Sequence, residues 1–127
     1  MNLVFLFFLM LFCHIFDDYY LQGWLASAKQ KKWWKDNAPQ SLYRYDYIAA
    51  LIVHSLSWSF SIMLPLVIYH KFNCGVLYII LFIINTIIHA LVDNLKANLF
   101  KINLCVDQSI HLIQIVTTFI IGVLFKI

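Results

Sequence analysis

Charge is what this sequence has least of. Of its 127 residues only 12% are charged, six carboxylates against nine Lys and Arg, while 63% are hydrophobic and the mean hydropathy is +0.82. A soluble domain of this length needs a polar surface, and there are too few polar residues to cover one. The composition therefore points to lipid as the solvent over most of the chain. The length suits one helical bundle, read as a single integral membrane domain over 1–127, and not two domains. Three cysteines occur with no CxxC spacing, which disfavours both a disulfide framework and a thiolate zinc site. Cys13 and Cys105 lie in apolar segments, where a thiol acts as a small hydrophobe, and Cys74 lies near a loop. No nucleophile motif, phosphate-binding loop, internal repeat or low-complexity linker is present. The N-terminus lacks a positively charged leader and a small-residue cleavage site, so it reads as a retained first span.

What is present is four long apolar runs. A spanning helix needs about 20 residues, and the runs cover 3–22, 47–69, 75–95 and 102–125. Backbone groups in lipid need partners within their own segment, and nothing alternates as barrel strands would. The expected fold is all-α: a four-helix transmembrane bundle. Pro65 is expected to kink the second span, and the serines of HSLSWSFSIM are small enough for close helix approach. Between the first two runs lies GWLASAKQKKWWKDNAPQSLYRYD. Its mixture of Lys with Trp24, Trp33 and Trp34 suits the headgroup layer. It reads as an interfacial amphipathic segment that starts helical and breaks near Asn37-Ala38-Pro39.

The cations set an expected topology. Lys29, Lys31, Lys32, Lys35 and Arg44 lie between spans one and two, and Lys96 and Lys101 between spans three and four; Lys71 and Lys126 stand apart. By the positive-inside rule both basic connections face the cytoplasm, and both termini face outward, in a cell inner membrane.

Each span also carries one narrow polar stripe. His14, Asp18 and Gln22 share a face of the first helix, and Asn85, His89 and Asp93 share one of the third. Asp107, His111, Gln114 and Thr118 share one of the fourth, and His54 lies with Ala50, Ser57 and Ser61 in the second. At 1.5 Å rise per residue, His14 and Asp18 fall about 12 and 6 Å from the basic end, and His54 about 10 Å. Asp93 and His89 fall about 3 and 9 Å deep, Asp107 and His111 about 7 and 13 Å. Four separately placed stripes reach one layer. An ionised Asp costs ~2.5–3.5 kcal/mol at mid-membrane, so these carboxylates should face inward and be neutralised. No Lys or Arg falls inside a predicted span, which leaves protonated His or a bound metal as the expected partners. Asp17 lies off the stripe and reads as solvated or as a helper, and His70 as interfacial. Lys29 and Gln22 read as headgroup contacts or, for the lysine, as a side chain snorkelling to the surface.

A His and a carboxylate one helical turn apart form a ligand pair for a divalent metal. The candidate ligands are His14, Asp18, His54, His89, Asp93, Asp107 and His111, with zinc the expected ion. Asp18, Asp93, Asp107 and His54 are also the candidate catalytic groups, as general base or leaving-group stabiliser. The same residues would equally build a hydrogen-bonded network that only fixes helix packing, or a proton or ion path. Against a path, the outer halves of the helices are almost wholly apolar.

HIFDDYYLQ followed by WLASAK, then HALVDNLK, then DQSIH, resembles a domain-of-unknown-function family of small multi-pass membrane proteins of bacteria and their phages. That family shows H-x3-D-[aromatic]-x2-Q with a downstream Lys, a mid-chain His, H-x3-D and D-Q-x2-H. Here the pattern falls on His14, Asp18, Tyr19, Gln22, Lys29, His54, His89, Asp93, Asp107, Gln108 and His111. The resemblance implies the fold and the importance of those positions, and no activity. Three functions then stand side by side: a metal-dependent hydrolase acting on a lipid or lipid-linked substrate, a non-catalytic protein binding a host membrane protein or its own copies, and a conductor. A nucleic-acid partner is not expected, because topology already accounts for the basic cluster.

Overall fold

The computed structural model describes residues 2–125; Lys126 lies outside them. Helix α1, Leu3–Phe16, starts where the Asn2 side chain accepts from the Val4 N–H at 2.8 Å. It runs straight into a π-helical turn, Asp17–Leu21. Two short helices follow, α2 (Leu25–Ala28) and α3 (Lys31–Asn37), then a 3₁₀ turn at Ser41–Tyr43. Three long helices complete the chain: α4 (Asp46–Tyr69), α5 (Val76–Ala97) and α6 (Leu104–Leu124). The fold is all-helical, with no strand among the described residues.

Four helical stretches are long and apolar enough to cross a membrane: Leu3–Leu21, which joins α1 to its π-turn, Ser41–Tyr69, which joins the 3₁₀ turn to α4, and helices α5 and α6. Their outward faces carry Phe5, Phe8, Phe12, Ile79, Ile83, Ile87, Ile113 and Ile120, all exposed. In water such a surface would aggregate; in lipid it is the expected one, and the helices fit a membrane-embedded protein. Inside, one half of the bundle is apolar. Leu6, Met10, Trp58, Ile62, Met63, Leu66, Leu81 and Ile115 form its core. Pro65 is buried within α4, which continues as one helix to Tyr69.

The basic segment between α1 and α4 is helical as far as Asn37, where the chain turns through Ala38 and Pro39. It is not a free loop. Asn98, just past α5, straps it down: its Oδ1 accepts from the Lys31 backbone N–H at 2.7 Å, and its Nδ2 donates to the Lys29 carbonyl at 3.0 Å. The two basic connections therefore meet at one end of the bundle. The remaining polar half of the interior lies next to that end.

Candidate metal centre

Helical spacing brings the polar side chains together. In α5, Asn85, His89 and Asp93 sit one turn apart and all three are buried. In α6, Asp107, His111, Gln114 and Thr118 do the same, and in α4 His54 is fully buried. The first span solves a harder problem. Neighbouring residues of an α-helix point about 100° apart, yet Asp17 and Asp18 are both buried. The wider π-turn accommodates this, a device that recurs at functional sites. Asp18 turns toward His54, and Asp17 toward α4, where its Oδ2 accepts from the Ser57 and Ser61 hydroxyls at 2.8 and 2.9 Å. Asp17 is thus a buried, hydroxyl-bonded carboxylate, correcting the expectation of a solvated one. Gln22 folds back and donates to the Asp18 carbonyl.

A second correction concerns charge. Two lysines do reach the buried carboxylates. Lys29 Nζ lies 2.6 Å from Asp93 Oδ2, and Lys96 Nζ lies 2.7 Å from Asp107 Oδ2. Helix α5 runs to Ala97, which carries Lys96 inside it. Lys29 points inward because the Asn98 strap holds its backbone at the bundle end. Its side chain is only 12% exposed, so it is not snorkelling to the surface. Three carboxylates, Asp18, Asp93 and Asp107, then face two ammonium groups. With neutral imidazoles one negative charge is left over in the cluster, and the buried Asp17 beside it adds a second.

A chain of hydrogen bonds orients the rings. Trp58 Nε1–H donates to His14 Nδ1 at 2.9 Å, so His14 carries its proton on Nε2 and donates it to Gln108 Oε1 at 3.1 Å. The Gln108 amide NH₂ then donates to Asp18 Oδ2 and Asp107 Oδ2, each at 3.0 Å. Both His14 nitrogens are therefore engaged. On α6 the same logic applies to His111. Gln114 Nε2 donates to Asn85, which leaves its Oε1 to accept from His111 Nδ1 at 3.2 Å. The His111 Nε2 lone pair then faces Asp107 Oδ1 at 3.4 Å and Asp93 Oδ1 at 3.8 Å, with no hydrogen-bond partner. A lone pair aimed at carboxylate oxygens is repulsive unless a proton or a metal cation lies between them.

The centre of the cluster is tighter. His54 Nε2 and His89 Nε2 are 3.2 Å apart. His54 Nε2 lies 3.4 Å from Asp18 Oδ1 and 3.3 Å from Asp93 Oδ2, and His89 Nε2 lies 3.7 Å from Asp93 Oδ2. Ligands held at about 2.0–2.1 Å around a tetrahedral ion stand about 3.3 Å from one another. Two groups of three could hold an ion: Asp18, His54 and His89, and His89, Asp93 and His111. His89, shared by both, is clamped between the rings of Trp58 and His111, with centroids 4.2 Å away on each side. The donor set of imidazole nitrogen and carboxylate oxygen fits a divalent transition metal. Charge favours one ion over two. One divalent cation would offset the two negative charges left when Asp17 is counted, and two would leave an excess of two positive ones.

Of the seven residues singled out as ligands, five make up the two groups: Asp18, His54, His89, Asp93 and His111; Asp107 falls in neither and reaches the cluster through His111 at 3.4 Å. His14 adjoins them, 5.9 Å from His111 between ring centroids, but falls in neither three-residue group. Its place is to pass orientation from Trp58 to Gln108. Asp107 meets His111 with one oxygen and Lys96 with the other. His70, at the far end, contacts the Gly122 carbonyl at 3.0 Å. Sequence reasoning missed Trp58, Lys96 and Asn98. Trp58 had a signal, since it follows His54 by one helical turn and is the one Trp in a span. Asn98 had none.

A cleft at the basic end reaches the cluster at Asp93. Its volume is about 250 Å³ and its walls are Lys29, Gln30, Asp93, Lys96, Ala97 and Phe100. A broader groove beside α1 and α6 is lined by Tyr19, Tyr20 and Leu112, with His14 and Gln108 at its floor.

Fold and site together define a four-helix bundle of membrane-spanning type with a buried His/Asp cluster able to hold a metal ion. The family model described as Protein of unknown function (DUF3307) matches residues 6–126, and the chain belongs to that family. No curated protein and no solved structure matches it.

Proposed function

We propose that the protein is an integral membrane metal-dependent hydrolase, acting on a phosphate-bearing lipid or lipid-linked substrate. One observation carries this reading: His54 Nε2 and His89 Nε2 approach to 3.2 Å with carboxylate oxygens of Asp18 and Asp93 around them. Their first role is to bind a single divalent ion, with zinc the best match to the donors. A bound ion of that kind lowers the pKa of a coordinated water toward neutrality. Around it, Asp93 takes its proton acceptor role with Lys29 holding the carboxylate in place. His111, fixed by Gln114, turns its unprotonated Nε2 toward Asp93 and Asp107, where it would receive the proton that Asp93 takes from water and hand it on to the leaving group. Lys29 and Lys96 line the cleft that leads to Asp93, and their ammonium groups, paired with Asp93 and Asp107, would screen those carboxylates from an incoming phosphate. The lateral groove at His14 and Gln108 suits the apolar tail of an amphiphile.

Metal content tests the reading. Purified protein should carry about one zinc per chain by elemental analysis, and should release phosphate from a lipid phosphate monoester in mixed micelles. His54→Ala and His89→Ala should each abolish both. His14→Ala should keep the ion, because its nitrogens are committed to Trp58 and Gln108. A natively folded, active protein with no bound metal would sink the proposal.

A second reading has its own support. Lys29–Asp93 and Lys96–Asp107 already balance two of the four buried carboxylates, and two serine hydroxyls hold a third, Asp17. On that basis the cluster serves only to fix the bundle of a non-catalytic protein that binds a membrane partner. Retained metal separates the two readings.

The topology belongs with the proposal. The basic end, where Asn98 meets Lys29 and Lys31, faces the cytoplasm, and the Tyr69–Cys74 connection faces outward. A thiol reagent unable to cross the inner membrane should label exposed Cys74 in intact spheroplasts and miss exposed Cys105. The reverse pattern would invert the orientation.

A further inference from the structure

Away from the His/Asp cluster, the basic segment builds a pocket of its own. It lies between α3 and the 3₁₀ turn, has a volume of about 340 Å³, and its walls include Lys31, Trp34, Lys35, Tyr43 and Arg44. We propose that this pocket binds the phosphate of an anionic lipid headgroup. The proposal does not rest on the metal reading.

Charge comes first. Three cations line the pocket and no acidic residue does. Among the described residues none of the three lies within ion-pair distance of a carboxylate, whereas both lysines of the buried cluster do. Three like charges held together without a counterion repel one another, and an anion between them removes that repulsion. Arginine adds geometry, since its planar fork matches two phosphate oxygens.

Next, the walls are held in place. The Trp34 indole N–H donates to the Ala28 carbonyl at 2.7 Å, and its ring stacks on Tyr43 with centroids 6.1 Å apart. Trp33 packs edge-on against Trp34 at 5.0 Å, and Lys31 lies 5.9 Å above the Tyr47 ring. Behind them, Asn98 ties the Lys31 backbone to the end of α5. A surface of loose lysines would show none of these restraints.

The rim decides between a lipid and a soluble phosphate. Leu42 (78% exposed), Trp24 (59%) and Tyr45 (62%) flank the segment with their apolar surfaces outward. Those side chains sit where a span ends, at the level of headgroups, and favour insertion among them. A phosphate arriving in this layer arrives attached to a lipid.

The test uses the full chain reconstituted in nanodiscs of phosphatidylcholine with a minority of phosphatidylglycerol. Native mass spectrometry then reads the lipid that stays bound after mild delipidation. Wild type should retain phosphatidylglycerol over phosphatidylcholine. Lys31→Ala with Arg44→Ala should weaken retention roughly tenfold or more, at about 1 kcal/mol per cation near the surface. Lys32→Ala with Lys101→Ala removes the same charge outside the pocket and should leave retention nearly unchanged. Equal losses in the two double variants, or no lipid preference in wild type, would overturn the site. Displacement of the lipid by glycerol 3-phosphate would reassign the pocket to a soluble phosphate and overturn the lipid assignment. If the first double variant fails to fold, Lys35→Ala with Arg44→Gln takes its place under the same outcomes.

Discussion

Helices α1, α4, α5 and α6 meet twice, in two chemically different ways. At one end they meet through Leu6, Met10, Ile62, Met63, Leu66, Leu81 and Ile115. At the other they meet through His14, Asp18, His54, His89, Asp93, Asp107 and His111. Trp58 stands between the two, packed in the apolar core and stacked on His89. The contrast teaches how a bundle in lipid sets its geometry. Apolar side chains gain little by leaving an apolar solvent, so the first half is held by close packing alone. It would tolerate small slides of one helix on another. The second half would not. Its ions and hydrogen bonds have narrow distances, and a displaced partner leaves a charge stranded in a low-dielectric interior. The polar end is therefore where the arrangement of the four helices is specified, whatever else it does.

Two substitutions would break or sharpen this contrast. Asp93 is the hub, facing Lys29, His54, His89 and His111. Asp93→Ala leaves Lys29 buried without its partner and should lower stability by about 3–5 kcal/mol, read by unfolding in mixed micelles. Ile62, fully buried in the other half, should matter less. Ile62→Ala opens a cavity without a large change in transfer energy, and a loss of about 1–2 kcal/mol is expected. If the two losses came out equal, the polar end would have no special part in setting the fold.

Much of the fold is legible in the sequence, because lipid imposes a simple rule. Twenty apolar residues must become a helix, and the four runs did. The stripes were legible for a related reason: at helical spacing, Asn85–His89–Asp93 and Asp107–His111–Gln114–Thr118 stand out against an apolar background. All seven are buried. What escaped depends on reach and on irregular backbone. A lysine counted outside a span, such as Lys29, carries a long stem that returns into the bundle once Asn98 straps its backbone down. Lys96 escaped through a helix end misplaced by two residues, Ala97 against an expected limit at 95. Asp17 escaped because regular helical geometry puts it on the wrong face, and the π-turn changes that geometry. His14 matched the stripe, yet its nitrogens are taken by Trp58 and Gln108, partners brought from two other helices that no spacing in one segment reveals.

The widened turn at Asp17–Leu21 also sets a count. Upstream of it, Leu6 and Met10 are completely buried while Phe5 and Phe8 lie open to the outside. The turn itself absorbs one extra residue, but removing a single residue from the regular helix between Met10 and the turn would swing everything before it by about 100°. Leu6 and Met10 would rotate out of the core as the phenylalanines rotated toward it. The first helix thus tolerates exchange of its outward letters far more readily than any change in their number.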